Sequence, residues 1–249
     1  LEEAIELALE VAEYRKLNMI ACTDEAQGGG GRDPVALRER VGRQIRDILD
    51  NHPHDAYSLA QSARCLLEFG RLIPAEATGL NRKAWLVAEQ ALRAAPTSTP
   101  VLHVATEILI VMGDAERADS LLDQALRIDR TDTRALLLRG RARAALGDLS
   151  GAAEFYGLAH TAGVGTNECL AALVIAAGAT GRVEDAATLV LMLADRVPVS
   201  PRLKQDVDGA RPLLRHLPNT RFREMFNLAA ERRTADPNHL ARVHAALAY

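Results

Sequence analysis

Three glycines, Gly113, Gly147 and Gly181, stand 34 residues apart. No other feature restricts so tightly what this chain can fold into. Ala118, Ala152 and Ala186 follow each glycine by five residues, and Leu102, Leu136 and Leu170 precede each by eleven. Gly79, Ala84, Ala88, Ala91 and Pro96 carry the glycine and alanine register one period further toward the N-terminus. Self-similarity at this spacing predicts a stacked array of helix pairs, because one pair cannot bury its own apolar face.

The residues between the glycines agree. Aromatics are 4% of the chain, within a hydrophobic fraction of 48% rich in Ala and Leu. Small and aliphatic side chains suit closely packed helices, whereas strands draw on β-branched and aromatic residues. Helix starts are written as Asp33-Pro34, Thr99-Pro100, Ser200-Pro201, Pro218-Asn219 and Asp236-Pro237, with proline tolerated where the helix has no N–H to satisfy. These starts and the apolar spacing predict helices over 34–51, 56–69, 99–112, 114–129, 132–146, 149–162, 167–180, 182–196 and 220–233. Gly70 is expected to end the second of these in a left-handed conformation, and Gly79 to serve as the next turn. On that register the nine residues RLIPAEATG over 71–79 are an insertion. No segment alternates as a strand bounded by hairpin turns.

The array resembles the tetratricopeptide repeat. With the turn glycine as fifteenth residue, the units are 99–132, 133–166 and 167–200. The Trp position of that motif holds Leu102, Leu136 and Leu170, and the small eighth position holds Thr106, Gly140 and Val174. The twentieth holds Ala118, Ala152 and Ala186, the twenty-fourth Leu122, Tyr156 and Val190, and the terminal proline survives at Pro96 and Pro198. Arg143 departs from the motif, standing where it has a large aromatic; it is expected to lay its stem over apolar neighbours, or to pair with Asp114 or Asp148. The resemblance implies an all-α, right-handed superhelical solenoid of antiparallel helix pairs. The division that follows is an acidic N-terminal helix (1–17) and Gly-rich linker over 1–33, a repeat array over 34–200, and degenerate capping helices over 201–249.

The same resemblance implies a non-catalytic scaffold that takes a peptide or protein partner on the concave face, lined by the first helix of each pair. Carried over position by position, the solvent-facing concave residues are Tyr57, Arg64 and Glu68, then His103 and Glu107, then Arg134 and Arg141, then Glu168. Arg64 and Arg141 share the ninth position, with Glu107 at that position between them. Arginine on an ordered surface takes a carboxylate through two hydrogen bonds, so an acidic segment or a free C-terminal carboxylate is a fitting ligand. The asparagines of the chaperone-binding clamp are missing. Ile175, Gly178 and Ala179 make a small apolar face suited to a helix or a hydrophobic strand.

Charge and chemistry narrow the rest. The net charge of −3 and pI near 6.2 give no reason to expect nucleic acid. Residues 1–30 carry two basic against seven acidic side chains, and residues 201–249 nine against five; ordinary solvated helix faces are the expected account, and the sharper alternative is that opposite ends contact each other or different partners. Cys22, Cys65 and Cys169 have neither disulfide nor zinc spacing, and no apolar run reaches the length of a membrane helix. No catalytic motif, metal site or cofactor site is found: His52 and His54 flank a turn proline, His239 and His244 are five apart, and Gly28 to Gly31 lack the Lys-Ser/Thr of a phosphate loop. The expected setting is the cytoplasm, or the periplasm if a signal has been removed, and the Ala- and Arg-rich composition is of a bacterial style. Self-association through uncapped ends stays open. So do a regulatory or sensor module of a larger signalling or transcription protein and a polysaccharide-export assembly protein.

Overall fold

The computed structural model describes residues 34–162, 167–194 and 217–232. Among these the chain forms ten α-helices and one 3-10 turn. They are α1 (Pro34–Asn51), α2 (Ala56–Leu72), α3 (Ala77–Ala94), α4 (Thr99–Met112), α5 (Ala115–Ile128), α6 (Thr133–Ala145), α7 (Leu149–Thr161), α8 (Asn167–Ala179), α9 (Val183–Ala194) and α10 (Asn219–Glu231). The expected helices over 1–17, from Ser200 and from Asp236 lie outside the described residues. Two compact units divide the chain, one ending at Ile128 and one beginning at Asp129.

The periodic glycines do what their spacing demands. Gly113, Gly147 and Gly181 have φ of 85°, 84° and 83°, the left-handed conformation that costs any residue with a Cβ, and each follows the first helix of a pair. Their chain reversals are closed by backbone bonds such as Asp114 N–H to the Leu109 carbonyl at 2.9 Å. The second helices α5 and α7 are capped by the aspartate after the glycine: the Asp114 carboxylate accepts from Arg117 N–H at 3.3 Å and the Asp148 carboxylate from Gly151 N–H at 2.9 Å. First helices α2 and α6 are capped by Asp55 and Asp132.

Gly70 and Gly79 behave otherwise. Neither has positive φ; Gly70 lies inside α2 and Gly79 inside α3. The expected insertion is instead the last turn of α2, the 3-10 turn Pro74–Glu76 and the first residues of α3. Proline supplies the chain reversal that a left-handed glycine supplies elsewhere. Accordingly α2 and α3 have 17 and 18 residues, against 12 to 14 for α4 to α9. Gly70 lies close to α3: a Cβ there would meet Asn81 Oδ1 at 2.6 Å, and the Asn81 side chain would have to turn aside to admit it.

In the first unit α2 packs against α1, α3 and α4, α3 packs on α4, and α4 on α5. Leu59, Ala63, Leu67, Phe69, Ala84, Ala91 and Ile108 form its core, each almost wholly removed from water. Gln90 and Gln124, one on each second helix, donate to the carbonyls of Pro53 and Pro96 and tie down the loops before α2 and α4.

In the second unit α6 packs on α7, α7 on α8, α8 on α9, and α10 on α8 and α9. Facing positions are matched in size. Gly140 of α6 lies against the buried Tyr156 ring of α7, so close that a Cβ would stand 2.7 Å from Cδ1 and Cε1. Buried Cys169 donates its thiol to the Tyr156 carbonyl at 3.1 Å, joining α8 to α7. The small apolar face at Ile175 and Gly178 is covered by the chain itself, since Leu217 and Met225 lie directly over Gly178.

Candidate functional site

The first helices α2 and α4 lie side by side in the first unit. Tyr57, Arg64, Glu68 and Arg71 recur at intervals of seven, four and three along α2, which puts them on one face. His103 and Glu107 share a face of α4, one turn apart. Arg71 joins the two helices: its guanidinium stands 2.6 Å from Glu68 Oε1 and 3.1 Å from Glu107 Oε1. One cation therefore holds two carboxylates, and a buried charge is tolerated only where such partners exist.

Glu107, expected to face solvent, is a correction. It is 7% exposed, with its carboxylate turned toward Arg71 in the α2–α4 interface. Glu68 is more sheltered than a surface residue, and burial raises its carboxyl above the ordinary value. Arg71 pulls the other way, Glu107 adds to the rise, and Arg64 opposes it weakly.

Arg64 is exposed and has no ion-pair partner among the described residues, and Tyr57 on the same face is 38% exposed. His103 is half-buried. The structure thus brings Tyr57, Arg64, His103 and Glu107 onto two adjoining helices, and adds Arg71. A helix ending at Gly70 leaves Arg71 in an insertion, which is why the repeat register misses it. The usable signal is its spacing of seven from Arg64 and three from Glu68.

In the second unit Arg134 is exposed at the start of α6, and Arg141, two turns on, is half-buried. Glu168 belongs to α8, with its side chain outside the described residues. Arg139 and Arg143, one turn apart, share a face of α6, and Arg141 between them points away from it. Arg139 lies over the Phe155 ring at 4.7 Å, and Arg143 reaches Asp148 at 3.4 Å, the second of its two expected partners. Among the described residues no group of three or more His, Cys, Asp or Glu could hold a metal ion, and no helix is long and apolar enough to cross a membrane.

Helix pairs turned by left-handed glycines every 34 residues, with small residues where paired helices touch, define the fold of the tetratricopeptide-repeat solenoid. Solved structures bear this out. A tetratricopeptide-repeat protein of Thermus thermophilus, TTC0263, is similar over 80% of this chain and 99% of its own, with TM-score 0.59 and 21% identity. PilW, a type IV pilus biogenesis factor, is similar over 92% of this chain and 98% of its own, with TM-score 0.59 and 16% identity. YrrB, a repeat protein with an unusual peptide-binding site, is similar over 81% and 96%, with TM-score 0.50 and 14% identity. No family model matches the sequence, and neither does any curated protein.

Proposed function

We propose that this chain is a non-catalytic interaction scaffold that holds a peptide segment of a partner protein against the first-helix face of its N-terminal unit. One observation carries the reading: on the α2–α4 face Arg71 is consumed by two carboxylates, whereas Arg64, beside Tyr57, is exposed and has no ion-pair partner among the described residues. Arg71 fixes the surface, and Arg64 offers two parallel N–H donors to a carboxylate of the ligand. Tyr57 adds an amphipathic ring that loses little rotamer freedom on binding. The peptide-binding site of YrrB, on a similar fold, supports the reading by analogy alone.

The test is affinity capture with the wild-type chain and with Arg64→Glu and Arg141→Glu. A partner retained by the wild type and by Arg141→Glu and lost from a folded Arg64→Glu variant agrees with this assignment. Equal capture by wild type and Arg64→Glu refutes it.

A further inference from the structure

On the opposite side of α2 from Arg64 and Glu68, a groove of about 810 Å³ opens between α1 and α3. Leu66 and Phe69 of α2 are its floor, Ile45 and Leu49 of α1 one wall, and Leu80 and Leu86 of α3 the other. Leu86 is 57% exposed, more than any other large hydrophobic side chain among the described residues. Along the rims stand Arg43 and Arg46 on α1 and Lys83 on α3. None of the three has an ion-pair partner among the described residues.

Gly42 lies in the middle of the α1 wall. Glycine inside a helix costs about 1 kcal/mol relative to alanine, and among the described residues packing does not require it here. Of these, a Cβ at Gly42 would touch only Arg46 Nη1, at 3.8 Å. The missing side chain leaves the wall open where an occupant would come closest.

We infer that this groove is a second docking surface, and that its occupant is an amphipathic helix of a partner protein with acidic residues flanking its apolar stripe. The floor and walls dictate a helix over an extended strand. An extended backbone laid on apolar side chains needs partners for its N–H and C=O groups. Among the lining side chains the neutral polar one is Gln90, which already donates to the Pro53 carbonyl. A helix satisfies its own backbone and enters such a groove with anchors at i, i+3 or i+4, and i+7. Leu80 to Gln90 on α3 span about 15 Å at 1.5 Å per residue, room for about three turns. The cationic Arg43, Arg46 and Lys83 outnumber the two acidic lining residues, Glu39 and Glu76, and so favour acidic flanks over basic ones.

The probe is a synthetic helical peptide of about 14 residues, with leucines at those spacings and glutamates on both flanks. A second peptide has lysines in their place. Fluorescence anisotropy measures both against the full chain and against Gly42→Leu, which fills the groove at a place where the fold has space. The glutamate peptide should bind at least about tenfold more tightly than the lysine peptide. Gly42→Leu should lose at least about tenfold in affinity with its helical circular dichroism intact, and Arg43→Glu/Arg46→Glu should reverse the preference between peptides. Failure of the glutamate peptide to bind, equal binding of both peptides, or undiminished binding to Gly42→Leu overturns the inference. So does a wild-type dimer that Gly42→Leu turns into a monomer, since the occupant would then be a second copy of this chain. Arg64→Glu should leave glutamate-peptide binding unchanged, so the two surfaces are tested separately.

Discussion

Replacing Gly140 with alanine should destabilise the wild-type chain and stabilise one in which Tyr156 has become leucine. In the wild type the new methyl would sit 2.7 Å from two Tyr156 ring carbons, against 3.4–4 Å for ordinary contact. Tyr156 is 1% exposed, so the clash falls inside the core and not at the surface. Overpacking of this kind costs about 1–3 kcal/mol. Alanine recovers about 1 kcal/mol of helix propensity, so the net loss is about 1 kcal/mol, taking about 2 as the clash. With leucine at 156 the clash is gone and the propensity gain remains, so the same Gly140→Ala change becomes favourable by about 1 kcal/mol. The coupling between the two positions is then about 2 kcal/mol. The chain contains its own precedents, since the equivalent pairs are Thr106 with Leu122 and Val174 with Val190. Urea unfolding of wild type, both single variants and the double variant, followed by circular dichroism, closes the cycle. Additivity within about 0.5 kcal/mol would show that Gly140 is not there to admit the ring.

Gly79→Ala should stabilise by about 0.5–1 kcal/mol, because Gly79 lies inside α3 with open space around it, and Gly113→Ala should destabilise by about 1 kcal/mol, because its φ is 85°. Thermal melts of the two variants decide this; a loss at Gly79 would restore it as a turn residue. The raised Glu68 carboxyl makes a pH prediction. A folded chain that holds this proton where the unfolded chain has released it loses stability as pH rises from the ordinary value of 4.5 through the raised one. Glu68→Gln should flatten that fall, as read from urea midpoints between about pH 4 and about pH 7; identical slopes for the two chains would refute it.

Most of the helices were legible because glycine at a fixed period and apolar residues at helical spacing are local, repeated signals. Helix α4 begins and ends where Thr99-Pro100 and Gly113 indicate, and α6 to α9 agree within one or two residues at their ends. The exception was the α2–α3 pair. There Gly70 and Gly79 keep helical backbones and Pro74 makes the turn, and a glycine inside a helix is written identically to one needed for a left-handed turn. The candidate site was legible as positions and less so as states. Arg64 and Glu107 occupy equivalent places in their repeats, yet one is exposed and the other buried, because the longer α2 carries Arg71 far enough to reach Glu107. That difference depends on a contact 36 residues apart in sequence, which no local pattern encodes.

Cys65 and Cys169, buried at 4% and 0% exposure, fall one in each compact unit. A thiol reagent cannot reach either sulfur until the helices around it part, so each cysteine acts as a clock for the opening of its own half of the chain. With Cys22 replaced by serine, the two modification rates, resolved by peptide mapping, would report whether the halves open together or independently. Equal rates under all conditions would mean one cooperative array. Divergent rates would mean that one half can let go of its structure while the other keeps it.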